Sequence, residues 1–345
     1  MKSTYRAMQV AKPGALELVE RNVPIPGPGE VLIDVEACGI CGADAADIER
    51  ADPTLHPPRV PGHEVIGRIA SIGAGAPAIW KVGQRVGVGR FGGHCNECDQ
   101  CRRGQFQLCR NQPVVGATCD GGYAEMMVAR CTGLVSIPDE LNAEEAAPIL
   151  CAGLATFNAL KKSGAQAGDL VAVLGIGGLG HMALQYARRM GFKVVAVGRG
   201  QDIERDALAL GAHVYIDTDL HDAAAKLTDM GGAQAILTTI GNAATVSTVI
   251  GGLAPQGRLI VLGIAKDALA VSTRQLVSGE RSIAGSVTGS PYESERTLDF
   301  SVLSGVRPMI ETMPLENAFA AYQRVKRGDV KFRMVLVMGK THSAS

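Results

Sequence analysis

An apolar run of five residues, Leu170–Leu174, leads directly into Gly175-Ile176-Gly177-Gly178-Leu179-Gly180, and a helical pattern follows over residues 179–190. A strand that ends in glycines and opens a helix is the context in which a G-x-G-x-x-G pattern holds a dinucleotide pyrophosphate. Gly175 permits the turn, Gly177 lets the backbone approach the phosphates, and Gly180 permits close helix–strand packing, with Gly178 and Leu179 completing the loop. A glycine turn of purely structural use is the competing reading. The same rhythm continues through apolar runs at 193–197, 235–240 and 258–262, with a helical segment near 203–210. Apolar strands alternating with helices predict a doubly wound parallel sheet covered on both faces.

The chain before residue 143 is patterned differently. Short β-type runs at 31–35, Val65–Ile72 and Arg85–Val88, with the turn-rich stretch 24–29 as punctuation, predict a β-rich, barrel-like domain. The tail from about Pro291 holds a helical segment at 315–327 and a run at 332–337 that reads as a strand returning to the first domain. Two domains suit a chain of 345 residues. The charge is balanced, 34 basic against 34 acidic side chains, which removes the usual electrostatic reason to expect nucleic acid or an anionic membrane. No apolar stretch reaches the ~18–20 residues of a membrane span. Residues 1–10 hold no apolar signal region, so a cytoplasmic protein is expected.

Nine cysteines without a sign of export point to metal rather than disulfides. Four of them form Cys95-x2-Cys98-x2-Cys101-x7-Cys109 among polar neighbours, a spacing that can converge on one tetrahedral zinc of the closed, structural type. Free buried thiols prefer apolar surroundings, and iron–sulfur clusters use other spacings. A scattered set, Cys41, His63-Glu64 and Cys151, could supply one His and two Cys to a zinc with an open fourth position. Spacing alone leaves that set undecided against a core cysteine and a satisfied histidine.

Taken together, Gly62-His63-Glu64-x2-Gly67-x5-Gly73, the four-cysteine lobe, the stretch from Asp120 to Glu125, the stretch from Ala146 to Gly153 and the glycine run resemble the zinc-dependent medium-chain alcohol dehydrogenases over essentially the whole chain. The resemblance implies an α/β architecture in which a GroES-like β-rich catalytic domain (residues 1–152 and 290–345) carries an inserted Rossmann domain (153–289). It implies two zinc ions per chain. A catalytic one would be held by Cys41, His63 and Cys151, with Glu64 behind as an occasional substitute ligand and Asp44 orienting the His63 ring. A structural one would be held by Cys95, Cys98, Cys101 and Cys109. It further implies hydride transfer between a nicotinamide coenzyme and an alcohol, aldehyde or ketone, and a homodimer or homotetramer.

Departures from the family pattern are informative. Where the family has Ser or Thr two residues after the first zinc cysteine, and often His three further on, this chain has Ala43 and Ala46, so the usual side-chain proton relay is missing. Ala155 stands where the family commonly has Thr. After the run 193–197 comes Gly198-Arg199-Gly200, without the acid that holds the ribose diol of NAD. Gly198 makes room and Arg199 can pair with a 2′-phosphate, so NADP(H) is favoured over NAD(H), with Arg199 as a solvated loop residue the bland alternative. The missing relay would suit a reductase of activated C=C or C=N bonds. A redox-inactive zinc protein is disfavoured by the complete donor set.

Overall fold

The computed structural model describes residues 3–49 and 58–339. Among these, the strands in chain order are Thr4–Lys12 (β1), Ala15–Asn22 (β2), Glu30–Ile40 (β3), Val65–Ile72 (β4), Arg85–Val88 (β5), Met126–Arg130 (β6), Leu134–Ser136 (β7), Leu170–Leu174 (β8), Lys193–Gly198 (β9), Val214–Asp217 (β10), Ala233–Thr238 (β11), Leu253–Val261 (β12), Ser282–Gly285 (β13), Ile310–Pro314 (β14) and Arg333–Val337 (β15). Backbone proximity divides the described residues into two compact units: those up to Cys151 together with those from Gly289 on, and Ala152–Thr288. Both junctions fall one residue earlier than the bounds the resemblance implies. No described helix is long and apolar enough to cross a membrane.

In the first unit β1 and β2 form an antiparallel hairpin, and a seven-stranded sheet runs in the order β14-β15-β3-β4-β5-β7, with β6 also paired to β3. The axis is β3. Its Val31, Ile33 and Val35 are buried β-branched side chains that fit a pleated surface, and it carries β4, β6 and β15 as antiparallel neighbours. The run 332–337 returns to this sheet as the sequence pattern anticipates, with Met334 opposite Ile40. The segment 315–327 is a 3₁₀ turn, Leu315–Asn317, followed by the helix Ala318–Arg327. Register shifts between Leu32 and Ile33, and again between Val35 and Ala37, break the β3–β4 ladder. At this crossing the backbones approach so closely that a β carbon on Gly67 would stand 2.1 Å from the Asp34 carbonyl oxygen. The glycine is therefore a packing requirement.

The second unit is a six-stranded sheet, β10-β9-β8-β11-β12-β13, parallel throughout. Counted from β8 this is the 3-2-1-4-5-6 order of the doubly wound dinucleotide fold, and the order reverses between β8 and β11. The loop Gly175–Gly180 leaves β8 at that reversal, where ligands bind in such sheets. Leu170, Ala172, Leu174, Val195, Val197, Ile236 and Leu259 form its core. The outer strands β10 and β13 escape a sequence reading. Each has four residues, and neither carries a continuous apolar run.

Gly67→Ala should destabilise the first unit by about 1–3 kcal/mol, the usual cost of overpacking. Melting temperature measures it. An unchanged melting temperature would refute the steric account.

Candidate active site and coenzyme loop

Three adjacent strands of the first unit present one end to the same place. Cys41 directly follows the last residue of β3, His63-Glu64 directly precedes β4, and Arg333 is the first residue of β15, just before Met334, which pairs with Ile40. Cys151 comes from a π-helical turn, Ile149–Gly153, that follows the helix Ala143–Pro148. Pro148 has no N–H to donate, and a widened turn of this kind commonly sits at functional sites. The ligand atoms of Cys41, His63, Glu64 and Cys151 all lie within 4.8 Å of one another, and all four residues are buried. Cys41 Sγ and Cys151 Sγ are 3.8 Å apart.

Three of the four donors, Cys41, His63 and Glu64, are held from behind. Asp44 Oδ1 lies 2.7 Å from His63 Nδ1, while its Oδ2 accepts from the Cys41 N–H at 2.9 Å and the Tyr123 hydroxyl at 2.8 Å. This fixes the ring and leaves Nε2 turned toward the thiols, buried and without a hydrogen-bond partner. Glu64 pairs through Oε1 with buried Arg333, while its Oε2 is buried and unpartnered. A β carbon on Gly39 would stand 1.9 Å from that Oε2, so β3 must carry glycine there for the carboxylate to fit. A further pair, Arg90 with Asp47, packs alongside. Arg90 Nη2 donates to Asp47 Oδ1 at 3.0 Å, and Nη1 lies 3.4 Å from His63 Nδ1.

The electrostatics follow from burial and partners. Burial disfavours imidazolium, yet Asp44 and Cys41 outweigh it and raise His63 to about 10. Burial lifts Glu64 to about 7, against the pull of Arg333. Cys41 is lowered well below an ordinary thiol, chiefly by its hydrogen bond with Cys151, and Cys151 is correspondingly raised. The two thiols lie within hydrogen-bond distance of each other, so their ionisations are linked.

The four-cysteine lobe is equally well gathered. Sγ atoms are 3.6 Å apart for Cys95 and Cys109, 3.9 Å for Cys95 and Cys101, and 3.9 Å for Cys98 and Cys109. Four sulfurs about 2.3 Å from a tetrahedral zinc are about 3.8 Å from each other. Backbone N–H groups of Cys98 and Glu97 point at Cys95 Sγ and pull that thiol down to about 6. Donors of this kind support thiolate ligands. All nine cysteines are free.

In the second unit Gly175 has φ +91°, and a β carbon there would stand 2.3 Å from Ile240 Cγ2. One on Gly180 would stand 2.0 Å from the Gly175 carbonyl oxygen, the close helix–strand approach the motif requires. Gly177 faces open space and is exposed, and Gly178 and Leu179 are half-buried beside it. Arg199 is exposed, with no ion-pair partner among the described residues. The room beside Gly198, however, is filled by the ring of Tyr215. Ala155 is buried in the helix Leu154–Lys162, whereas Ala43 and Ala46 are exposed.

Sequence reasoning missed Arg333, Gly39, the Arg90–Asp47 pair and Tyr215. Arg333 had a legible signal, a lone cation within the otherwise apolar run 332–337, which must find a partner if buried. The others depend on contacts between segments remote in sequence. Arg333→Met, which strips Glu64 of its partner, should cost about 3–5 kcal/mol of stability. Most of that should return in the double variant Glu64→Gln, Arg333→Met. Denaturant titration of the four proteins checks this, and additive losses would contradict the pairing.

Two protein-family models match the chain. The alcohol dehydrogenase GroES-like domain family matches residues 27–139, and the zinc-binding dehydrogenase family matches residues 178–302. The chain is 41% identical to the alcohol dehydrogenase patD of Penicillium expansum over 340 residues, 97% of this chain and 98% of that protein. Among solved structures it is similar to a cinnamyl alcohol dehydrogenase of Sorghum bicolor (TM-score 0.88, 29% identity, 97% of each chain covered). It is also similar to CAD from Helicobacter pylori complexed with NADP(H) (TM-score 0.87, 28% identity, 99% of each chain covered).

Proposed function

Because the chain belongs to the zinc-dependent medium-chain alcohol dehydrogenase family, we propose that it is a zinc- and NADP(H)-dependent oxidoreductase interconverting alcohols with aldehydes or ketones. The observation that carries this reading is the convergence of Cys41 Sγ, Cys151 Sγ and the unpartnered His63 Nε2 in a buried site. Two soft thiolate donors and one imidazole are the ligand chemistry of a catalytic zinc with an open position. Sulfur separations near the tetrahedral value support a second, structural zinc in the lobe of Cys95, Cys98, Cys101 and Cys109.

When bound, the zinc supplies a Lewis acid for the substrate oxygen and the nicotinamide supplies or accepts the hydride. The protein's part is positioning. Cys41, His63 and Cys151 hold the metal, Asp44 holds the His63 ring, and Arg333 keeps Glu64 as a reserve ligand facing the donors. The glycine loop after β8 cradles the pyrophosphate, and Arg199 offers a free guanidinium to a 2′-phosphate. Protons leave through water, since Ala43 and Ala46 are exposed and bring no donor of their own. Assembly into two or four copies is part of the same reading.

The experiment is metal content together with NADPH oxidation across a panel of aldehydes, ketones and enals. The expected result is two zinc ions per chain and turnover of simple carbonyls, abolished in His63→Ala with the fold retained. Turnover confined to enals or iminium ions would transfer the reading to C=C or C=N reduction, which the missing relay favours. Cys101→Ser should release one zinc and lower the melting temperature, because structural zinc binding is folding energy. Full metal content in that variant would defeat the lobe assignment.

Restoring the relay with Ala43→Thr and Ala46→His should raise alcohol oxidation below about pH 8. The gain should stay well under the ~10²–10⁴-fold of well-placed acid–base groups, because water already serves. It should shrink as pH rises. Equal gains at every pH would show that proton transfer is not what the residues supply.

A further inference from the structure

Beyond β9 the chain runs through Gly198, Arg199 and Gly200, and side chains of β10 and the turn after it fasten this segment down. The Tyr215 hydroxyl donates to the Gly200 carbonyl at 2.6 Å, and the Gly200 N–H donates to Asp217 Oδ1 at 2.8 Å. Thr218 donates to the Gly198 carbonyl through its N–H at 2.9 Å and its hydroxyl at 3.0 Å. Gly200 itself has φ +80°, so the turn is built for glycine. A β carbon on Gly198 would stand 2.7 Å from Tyr215 Oη and 2.9 Å from its Cε2. The phenol cannot swing aside without giving up its bond to Gly200.

Position 198 is where dinucleotide-binding strands carry an acid, about 20 residues past the glycine run, whose carboxylate holds the ribose hydroxyls of NAD. Here that side-chain volume belongs to the neighbouring strand. We propose that Tyr215 is a coenzyme-specificity residue: its phenol occupies the place of a ribose-binding carboxylate, excludes one from position 198, and holds Arg199 in the turn where a 2′-phosphate is met. The inference rests on the NADP(H) reading above. Burial, with Asp217, Glu204 and Asp219 nearby, pushes the Tyr215 hydroxyl up to about 12, so it stays neutral and does not repel a phosphate.

The test is a double-mutant cycle read as NADH and NADPH dissociation constants from nicotinamide fluorescence, on the parent, Gly198→Asp, Tyr215→Ala and the double variant. Gly198→Asp alone should weaken NADPH without tightening NADH. Adding Tyr215→Ala should then tighten NADH by at least about tenfold, the worth of a charged hydrogen bond. The same Tyr215→Ala change in the parent should leave NADH binding nearly unaltered. If Gly198→Asp alone tightens NADH as much as the double variant does, Tyr215 excludes nothing and the proposal falls. Should Gly198→Asp not fold, Gly198→Ala keeps the question open to measurement. Its melting temperature should fall and recover when Tyr215→Ala is added, and no recovery would equally overturn the proposal. A parent that prefers NADH would end the NADP(H) reading, while the coupling between positions 198 and 215 would still decide the role of Tyr215.

Discussion

The structure depends on how it manages charge around four buried donor groups. Two thiols, an imidazole and a carboxylate, all on buried residues, converge at the end of the seven-stranded sheet. Uncompensated charge in such a place costs several kcal/mol. Asp44 faces His63 from outside, Arg333 neutralises one oxygen of Glu64, and Arg90 neutralises Asp47. What this leaves is two sulfurs, one imidazole nitrogen and one carboxylate oxygen pointing at each other. That is an arrangement for a cation with affinity for sulfur and nitrogen.

The fold brings these groups together through the ends of neighbouring hydrogen-bonded strands. Cys41, Glu64 and Arg333 lie at the same end of β3, β4 and β15, and the ladder registers fix their spacing within the first unit. Remote parts of the chain thereby act as one site. Arg333 stands 269 residues after Glu64, yet β15 delivers it to the carboxylate. The π turn performs the same service for Cys151, and Gly39 and Gly67 remove the side-chain volume that would keep the strands and Glu64 apart. Stability and function are coupled here, because each positioning contact is also a packing contact.

The division between legible and hidden features follows from range. Strand β8, its glycine loop and the following helix were legible because an apolar run, a turn and a helical face lie within one window of sequence. The four-cysteine lobe was legible for the same reason. The set Cys41, His63 and Cys151 was only half legible. Its residue types suited zinc, but nothing local says that residues 110 apart meet at 3.8 Å. Strands β10 and β13 were hidden because short edge strands need no continuous apolar stretch. Tyr215 was hidden because its meaning lies in the neighbouring strand. Gly198, taken by itself, suggests vacant space, whereas the β9–β10 pairing fills that space with a ring.

The central claim is that this chain builds two chemically different sulfur-rich metal sites, one closed and one open. X-ray absorption at the zinc K-edge of the purified protein tests it most directly. Four thiolates in one site and two in the other predict an average of about three sulfurs per zinc at about 2.3 Å, with a fractional nitrogen shell near 2.0–2.1 Å. A pure four-sulfur shell, with one zinc per chain, would contradict the claim. It would mean that Cys41, His63 and Cys151 are buried together for some purpose other than holding a metal.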